Sequence, residues 1–394
     1  MSAPFPRLRG RLLLGTALAA VAFHWLRLWL FPAPPPDVRP LLPVAFPGAA
    51  AFGARGGEPP RWTAEVPAAR GATVPGGVVV SSADLAPDVR GYAGPVPVLV
   101  GLAPDGTITG VALAPNNETP SYAARIDREG FLRQFTGRRA GDPLVLGQDV
   151  DGVTRATVTA TAIAAGVRRS ARVATRDILR LPVPPEPVTL APVAWVGVAA
   201  IAATVLLGFA SLVAGAPALR WASFAVSLGV LGLWQKTWVS AVNVANALLW
   251  RWPAAAERLP WYLLFGAAVA YAVLWRNLYC ARLCPFGALQ ELLHAIVPWR
   301  LAAAPEEDRG ARRLRIAFLW LATVAVFAFG IAEAANYEPF STAFDWVGGR
   351  LQWALLGAVL LLALARHRPW CRYFCPTGTC LQLLGRMRTL NPFD

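Results

Sequence analysis

The sequence predicts an α+β domain outside the cytoplasm joined to an all-α polytopic membrane domain, with about six transmembrane helices in total. Three observations lead there. First, 56% of the 394 residues are hydrophobic, mean hydropathy is +0.45, and several apolar runs are long enough to cross a hydrocarbon core of about 30 Å. Second, the stretch from Pro32 to Pro187 contains no such run and no cysteine, and is rich in proline and glycine. Third, the net charge of +14 comes largely from arginines beside the apolar runs, where they set topology. That placement argues against nucleic acid as a partner.

Taken in order, Arg7, Arg9 and Arg11 precede an apolar run from Leu12 to Phe31. Residues 1–32 are therefore expected to be a signal anchor with a cytoplasmic N-terminus. Ala20-Val21-Ala22 mimics a cleavage site, but the apolar run continues beyond it. His24 and Arg27 are unusual in such a run and are expected near an interface or against another helix, with a quinone or headgroup contact as the functional alternative. Residues 33–187 follow as an extracytoplasmic domain bracketed by the proline-rich spacers Pro32–Pro36 and Pro182–Pro187, which are semi-rigid. Within it, two strands around an Asp105-Gly106 turn read as a hairpin.

Residues 151–159, Asp-Gly-Val-Thr-Arg-Ala-Thr-Val-Thr, carry the functional signal of this domain. On composition alone they also suit a threonine-rich strand or a helix start. In their order they resemble the motif of the FMN-binding domain of bacterial membrane redox systems: Asp151, Thr154, Ala156 and Thr157 match, and Arg155 replaces the usual glycine. Glu118-Thr119-Pro120 resembles the segment that lies beside the flavin in that family, so the resemblance covers residues 90–170. It implies FMN joined by a phosphoester to Thr157, with Asp151, Thr154, Ala156, Glu118 and Thr119 in the site. A threonine hydroxyl is a poor nucleophile unaided, and the family uses a separate flavin transferase.

Residues 188–394 are expected to hold five further spans, near 193–214, 221–243, 260–276, 314–332 and 349–366, which returns the C-terminus to the cytoplasm. The arginine-bearing loop 277–313 and the tail then lie inside, and Glu333, Glu338 and Asp345 lie in an outer loop, as charge bias requires. Gln235, Lys236, Thr237, Ser240, Asn243 and Asn246 put polar groups into the third span. Lys236, the single lysine of the chain, would either snorkel at the outer interface or balance an anionic cofactor. His24, His294 and His367 are too scattered to serve intramembrane haem, and no haem is expected.

All five cysteines fall in two related segments, Tyr279–Gly287 and Trp370–Gly378 with Cys380 just beyond. Each has the pattern Cys-x-x-x-Cys-Pro at the end of a span and leads into an amphipathic helix, so the pair is an internal repeat. Cys280, Cys284, Cys371 and Cys375 would offer four thiolates to an iron–sulfur cluster, to structural zinc, or to a thiol–disulfide switch; Cys380 is a spare or replacement ligand. The paired motifs, the following Phe-Gly-Ala-Leu-Gln-Glu, and Tyr337-Glu338-Pro339-Phe340 resemble the NosR and NapH type of membrane iron–sulfur protein. In the NosR type an outer FMN domain precedes such a membrane part. The ferredoxin motifs of that type are absent after residue 380, which reads as a shortened member.

That resemblance implies electron transfer in a bacterial inner membrane. One end would be a cytoplasmic-face iron–sulfur centre of the [4Fe-4S] type, or the quinol pool. The other would be a periplasmic, covalently bound FMN that supplies a periplasmic respiratory reductase, with nitrous oxide reductase as the example. The implied partners are a flavin transferase, a cytoplasmic electron donor or quinol, and the periplasmic acceptor. The alternatives from other classes are a redox sensor or maturation factor built on the cysteines, and a zinc-stabilised scaffold.

Overall fold

A computed structural model describes the chain except for residues 1–4, 33, 70–71, 119–122, 127–129, 154–156, 187–194, 254, 298–304, 330–334, 336 and 388–394. It divides into two compact units. One is Pro34–Ala191 with Arg251–Ala254; the other is Met1–Ala33 with Pro192–Trp250 and Ala255–Asp394.

The first unit is built on a five-stranded antiparallel meander, β1 Ala51–Phe52, β2 Arg61–Pro67, β3 Thr73–Ser81, β4 Val98–Leu102 and β5 Ile108–Leu113, paired in sequence order. The expected hairpin is β4–β5, with Val100 opposite Val111. Its turn is held by Asp105, whose carboxylate accepts the Thr107 N–H at 3.0 Å, and by Gly106 at a φ of 82°, a conformation that glycine adopts without steric cost. Both faces of the sheet are covered. Val98, Val100 and Leu102 point into one core with Phe131, Phe135, Ile163 and Val167, while Leu99 points into the other with Leu42, Phe46, Trp62 and Val79, as the two-residue period of a strand demands.

The first core is closed by a long helix, α2, Thr157–Asp177. This decides the ambiguity of the threonine-rich segment, which is a helix start. The second core is closed by a short helical turn, Leu42–Ala45, whose backbone lies directly on the strands. A Cβ on Gly101 would collide with the Ala45 carbonyl, and one on Gly110 would stand 2.7 Å from the Val44 oxygen. These two glycines face each other across the β4–β5 ladder, so their missing side chains make the seat for the turn.

The second unit is helical. Besides α1, Phe5–Leu30, it contains α3 Trp195–Ala214, α4 Pro217–Val226, α5 Ala241–Leu248, α6 Ala255–Leu274, α7 Pro285–Ile296, α8 Pro305–Phe329, α9 Arg350–Ala365 and α10 Pro376–Met387. Among the described residues, α3 is the helix long and apolar enough by itself to cross a membrane; Arg258–Leu274 and Arg350–Ala365 are apolar but shorter. The first predicted span is α1, which runs parallel to α8: Thr16 accepts from the Trp320 indole at 2.9 Å, and one helical stretch further His24 Nδ1 lies 3.1 Å from the Phe327 carbonyl. His24 thus faces another helix, the plainer of its two readings.

The third predicted span, 221–243, is corrected. Helix α4 widens into a π-helical stretch, Ser227–Trp234, and ends before Lys236, which has a φ of 47°. A new helix, α5, then starts at Ser240. Its start is set by a reciprocal cap between the side chains of Ser240 and Asn243, which satisfies backbone donors that would otherwise be bare. The polar residues that looked anomalous inside a span are therefore the punctuation of a break. Lys236 pairs with Asp345 at 3.6 Å.

Replacing Gly110 by alanine should destabilise the first unit by about 1–3 kcal/mol through overpacking. Urea unfolding followed by tryptophan fluorescence tests this, and an unchanged midpoint would mean that the Leu42–Ala45 turn does not lie on the sheet.

Candidate functional site

In the first unit, Thr157 is the first residue of α2 and is exposed. A helix of this length presents bare N–H groups and the positive end of its dipole at that point, a natural place for a phosphate group. The first turn is anchored from below. The Thr159 hydroxyl donates to the Glu118 carboxylate, which also accepts the Ala93 N–H at 2.7 Å. Glu118 is 6% exposed, and its own N–H donates to the Asn116 side chain at 3.0 Å. It therefore ties the Gly91–Gly94 loop to the start of α2. A Cβ on Gly91 would stand 2.7 Å from the Glu118 carboxylate. Asp151 is exposed, and its backbone is clamped on both sides by the Gln134 amide, at 2.8 and 3.2 Å. Thr119, Thr154 and Ala156, with Arg155, lie outside the described residues.

In the second unit the two cysteine segments meet. In each, the second cysteine is the residue before a helix whose first position is proline. Cys284 Sγ accepts the Gly287 N–H at 3.4 Å, and Cys375 Sγ accepts the Gly378 N–H at 3.1 Å. The sequence requires this arrangement. Proline at the first helical position has no N–H to leave bare, and the sulfur takes the place of a capping oxygen for a donor further in. A Cβ on Gly378 would stand 3.3 Å from Cys375 Sγ and 3.6 Å from Cys280 Sγ, so thiols of different repeats flank this glycine.

The repeats also brace each other. Gln290 of α7 donates to Cys371 Sγ at 3.5 Å and accepts the Trp370 N–H at 3.0 Å. Arg368 donates to the Cys280 carbonyl at 2.8 Å, and Arg315 to the Cys371 carbonyl at 2.9 Å. Cys284 and Cys375 are buried, Cys280 and Cys371 half-buried. Burial, followed by the charge of Cys371, pushes the Cys280 thiol up to about 12. Among the described residues no three His, Cys, Asp or Glu side chains are already closed on a single ion. The set nevertheless fits an iron–sulfur centre on its chemistry: four thiols from two repeats, amide and side-chain donors to the sulfurs, and guanidinium groups that offset thiolate charge. Cys380 lines an apolar cavity with Ala241, Val244, Leu319 and Val326.

Tyr337 and Glu338, expected in an outer loop, are instead packed against the second repeat. The Tyr337 hydroxyl donates to the Phe374 carbonyl at 3.3 Å. Glu338 is 3% exposed and accepts from the Thr377 hydroxyl and from the Ala241 N–H, each at 2.7 Å. Burial raises its carboxyl to about 7 despite those hydrogen bonds. The physical reason is local: the break before α5 leaves a bare helix N-terminus inside the unit, and Glu338 supplies the acceptor. A second buried carboxylate, Glu291 of α7, contacts Arg368 at 2.7 Å, His367 at 2.8 Å and Arg220 at 3.0 Å. Burial would raise it, but the His367 hydrogen bond and the neighbouring positive charges hold it down at about 2.

Both sites fall inside regions shared with known proteins. Residues 91–172 match the model of the FMN-binding domain, which takes in the Gly91 loop, Glu118 and the start of α2. Residues 257–302 and 353–391 match the 4Fe-4S binding domain, one cysteine segment in each piece. The chain therefore combines an FMN-binding region with a 4Fe-4S binding region, and is similar in part to proteins of the NosR type. It is 34% identical over 188 residues to the regulatory protein NosR of Pseudomonas aeruginosa, covering 44% of this chain and 26% of the relative. It is 32% identical over 186 residues to protein NirI of Paracoccus denitrificans, covering 44% and 27%. Over 91 residues it is 36% identical to one subunit of the Na+-translocating ferredoxin:NAD+ oxidoreductase complex of Acetobacterium woodii, covering 21% and 44%. The match thus spans about a quarter of the length of the NosR and NirI relatives. Together the two matched regions support FMN and an iron–sulfur cluster as the groups this chain binds.

Sequence reasoning singled out the cysteines, Thr157 and Glu118. It missed Gln134 and Arg315, and it named Gln290 and Glu291 only within the Phe-Gly-Ala-Leu-Gln-Glu segment and Arg368 only as part of a basic tail, without their contacts to the cysteine segments. The signal for Gln290 was present, since it stands six residues after Cys284 on the helix that Pro285 starts; Gln134 had none.

Gly378→Ala should lower iron content or shift the electron paramagnetic resonance signal of the reduced protein while leaving helicity intact; an unchanged spectrum and iron content would show that no cluster is held beside residue 378. Glu291 lies below its ordinary value of 4.5 when folded, so its contribution to stability is complete above that value and is lost as pH falls toward about 2. Thermal unfolding of wild type between pH 3 and 7 should therefore weaken on acidification more than that of Glu291→Gln, and parallel curves would contradict it.

Proposed function

We propose that this chain lies in a bacterial inner membrane as a multi-pass protein, with the FMN domain periplasmic and both termini cytoplasmic, and conducts electrons between a cytoplasmic-side cluster and a covalent FMN. Cys280, Cys284, Cys371 and Cys375 hold the cluster, and Thr157 carries FMN through a phosphoester, with Asp151, Thr154, Ala156, Glu118 and Thr119 around it. A flavin exchanges one or two electrons and an iron–sulfur centre one, and the protein supplies attachment and electrostatics. By analogy with the NosR type, the acceptor is a periplasmic respiratory reductase, nitrous oxide reductase being the first candidate.

The observation that carries this reading is the interlocking of the two repeats around four thiols. Each repeat alone has two candidate ligands, and the cross-braces from Gln290 to Cys371 and Trp370 and from Arg368 to Cys280 hold the two motifs together. The exposed hydroxyl of Thr157 at the positive end of α2 supports the flavin half, since Glu118 fixes the turn while leaving that hydroxyl free for a transferase.

Co-expression with a flavin transferase tests the attachment. Wild type should keep flavin fluorescence on a denaturing gel, Thr157→Val should lose it completely, and Cys375→Ser should keep flavin but lose the paramagnetic cluster signal. Flavin that survives in Thr157→Val would move the attachment elsewhere.

A further inference from the structure

Arginines from three segments, two of which the sequence assigns to the cytoplasmic side, converge on one phenyl ring. The guanidinium carbons of Arg368, Arg220 and Arg282 lie 5.3, 5.6 and 5.8 Å from the centroid of Phe224. Arg220 comes from the start of α4, Arg282 from the first cysteine segment, and Arg368 from the approach to the second. Among the described residues, Glu291 is the carboxylate these arginines meet, through Arg220 and Arg368. Arg282 is held by the Ser211 hydroxyl and the Ala281 carbonyl, at 2.8 and 3.0 Å. Three positive charges against one negative leave an excess. The Arg220 side chain is 42% exposed and that of Arg368 15% exposed, so Arg220 is the member of the group that reaches the surface, with Arg282 and Arg368 behind it.

The face also adjoins the cluster ligands. Arg368 hydrogen-bonds the Cys280 carbonyl and Arg282 that of its neighbour Ala281, and Cys280 is one of the two half-buried thiols. Positive charge held this close to the more accessible edge of a redox centre is what an electron-exchange surface requires, because such encounters are small, transient and steered by charge.

We propose that the Arg220, Arg282 and Arg368 face is the docking surface for a soluble, acidic one-electron carrier. This rests on the functional reading above and names the chemistry of its cytoplasmic partner. A cluster held by the four cysteines would accept one electron from the docked, reduced carrier, which is oxidised by one electron; no bond forms or breaks and no proton is required. Glu291 limits the attraction by neutralising part of the patch.

The test uses the full-length protein in neutral phosphatidylcholine nanodiscs, with an acidic two-iron ferredoxin as probe and a basic cytochrome c as the opposite-charge control. The ferredoxin should bind and the cytochrome should not, with affinity falling about tenfold or more as salt rises from about 0.05 to about 0.3 M. Arg220→Gln should weaken binding several-fold and Glu291→Gln should strengthen it, whereas simple structural damage would weaken both. Equal binding of both carriers, absence of salt dependence, or loss of binding in Glu291→Gln overturns the proposal. So does loss of ferredoxin binding in nanodiscs containing phosphatidylglycerol, which would assign the face to lipid headgroups. Binding is read without the cluster, so a protein that binds but shows no paramagnetic signal would instead remove the electron-transfer reading.

Discussion

The second sulfur of each Cys-x-x-x-Cys-Pro segment accepts an N–H from the first turn of the helix it precedes, and the rest of the helical unit is arranged around the fact that this happens twice in one place. A capped helix start has a fixed direction. Two such starts, from α7 and α10, aim their positive ends at a common group of thiols. Negative charge on those sulfurs is favoured by both dipoles and by Arg315 and Arg368, while burial opposes it. A cationic metal centre would resolve that opposition by neutralising the sulfurs without protonating them.

Holding two helix starts together requires the surrounding helices to be interrupted. Residue 235 ends a π-helical stretch, Lys236 turns the chain, and α5 begins at Ser240 inside the unit. The Val239 N–H then reaches the Tyr279 hydroxyl at 2.9 Å, beside Cys280, and Glu338 joins the start of α5 to Thr377, two residues after Cys375. Broken helices of this kind are tolerated away from water only where other groups satisfy the freed backbone, and here Ser240, Asn243, Tyr279 and Glu338 do so. A single Glu338 carboxylate thus links the break in one helix to the start of another.

Much of this was legible in the residues, and the division has a physical basis. Local chemistry could be read: Asp105-Gly106 as a turn, Cys-Pro as a helix start, and the order of Glu118 and Thr157. The sheet was legible only in part, because strands covered on both faces, such as Val98–Leu102, lack the alternation that marks a half-buried strand. The break at Lys236 was marked by Gln235, Lys236 and Thr237 but read as polar groups within a span, because the apolar residues before and after them keep the average hydropathy high, and hydropathy does not distinguish a continuous helix from two pieces. Glu338 was read by its charge as an outer-loop residue. Its partners, Ala241 and Thr377, are far away in sequence, and no local pattern announces a long-range acceptor.

On the proposed function, the two units would answer the same electrostatic problem in the same way: a phosphate and a set of thiolates are both anionic, and each would meet the start of a helix, α2 in one unit and α7 with α10 in the other. The support differs. Thr157, the first residue of α2, is exposed, and the fixing contact is displaced two residues inward, to Thr159 and the buried Glu118, which would leave the attachment point open to a transferase. Cys284 and Cys375 cap their helices and are buried, as residues that enclose a cluster would be.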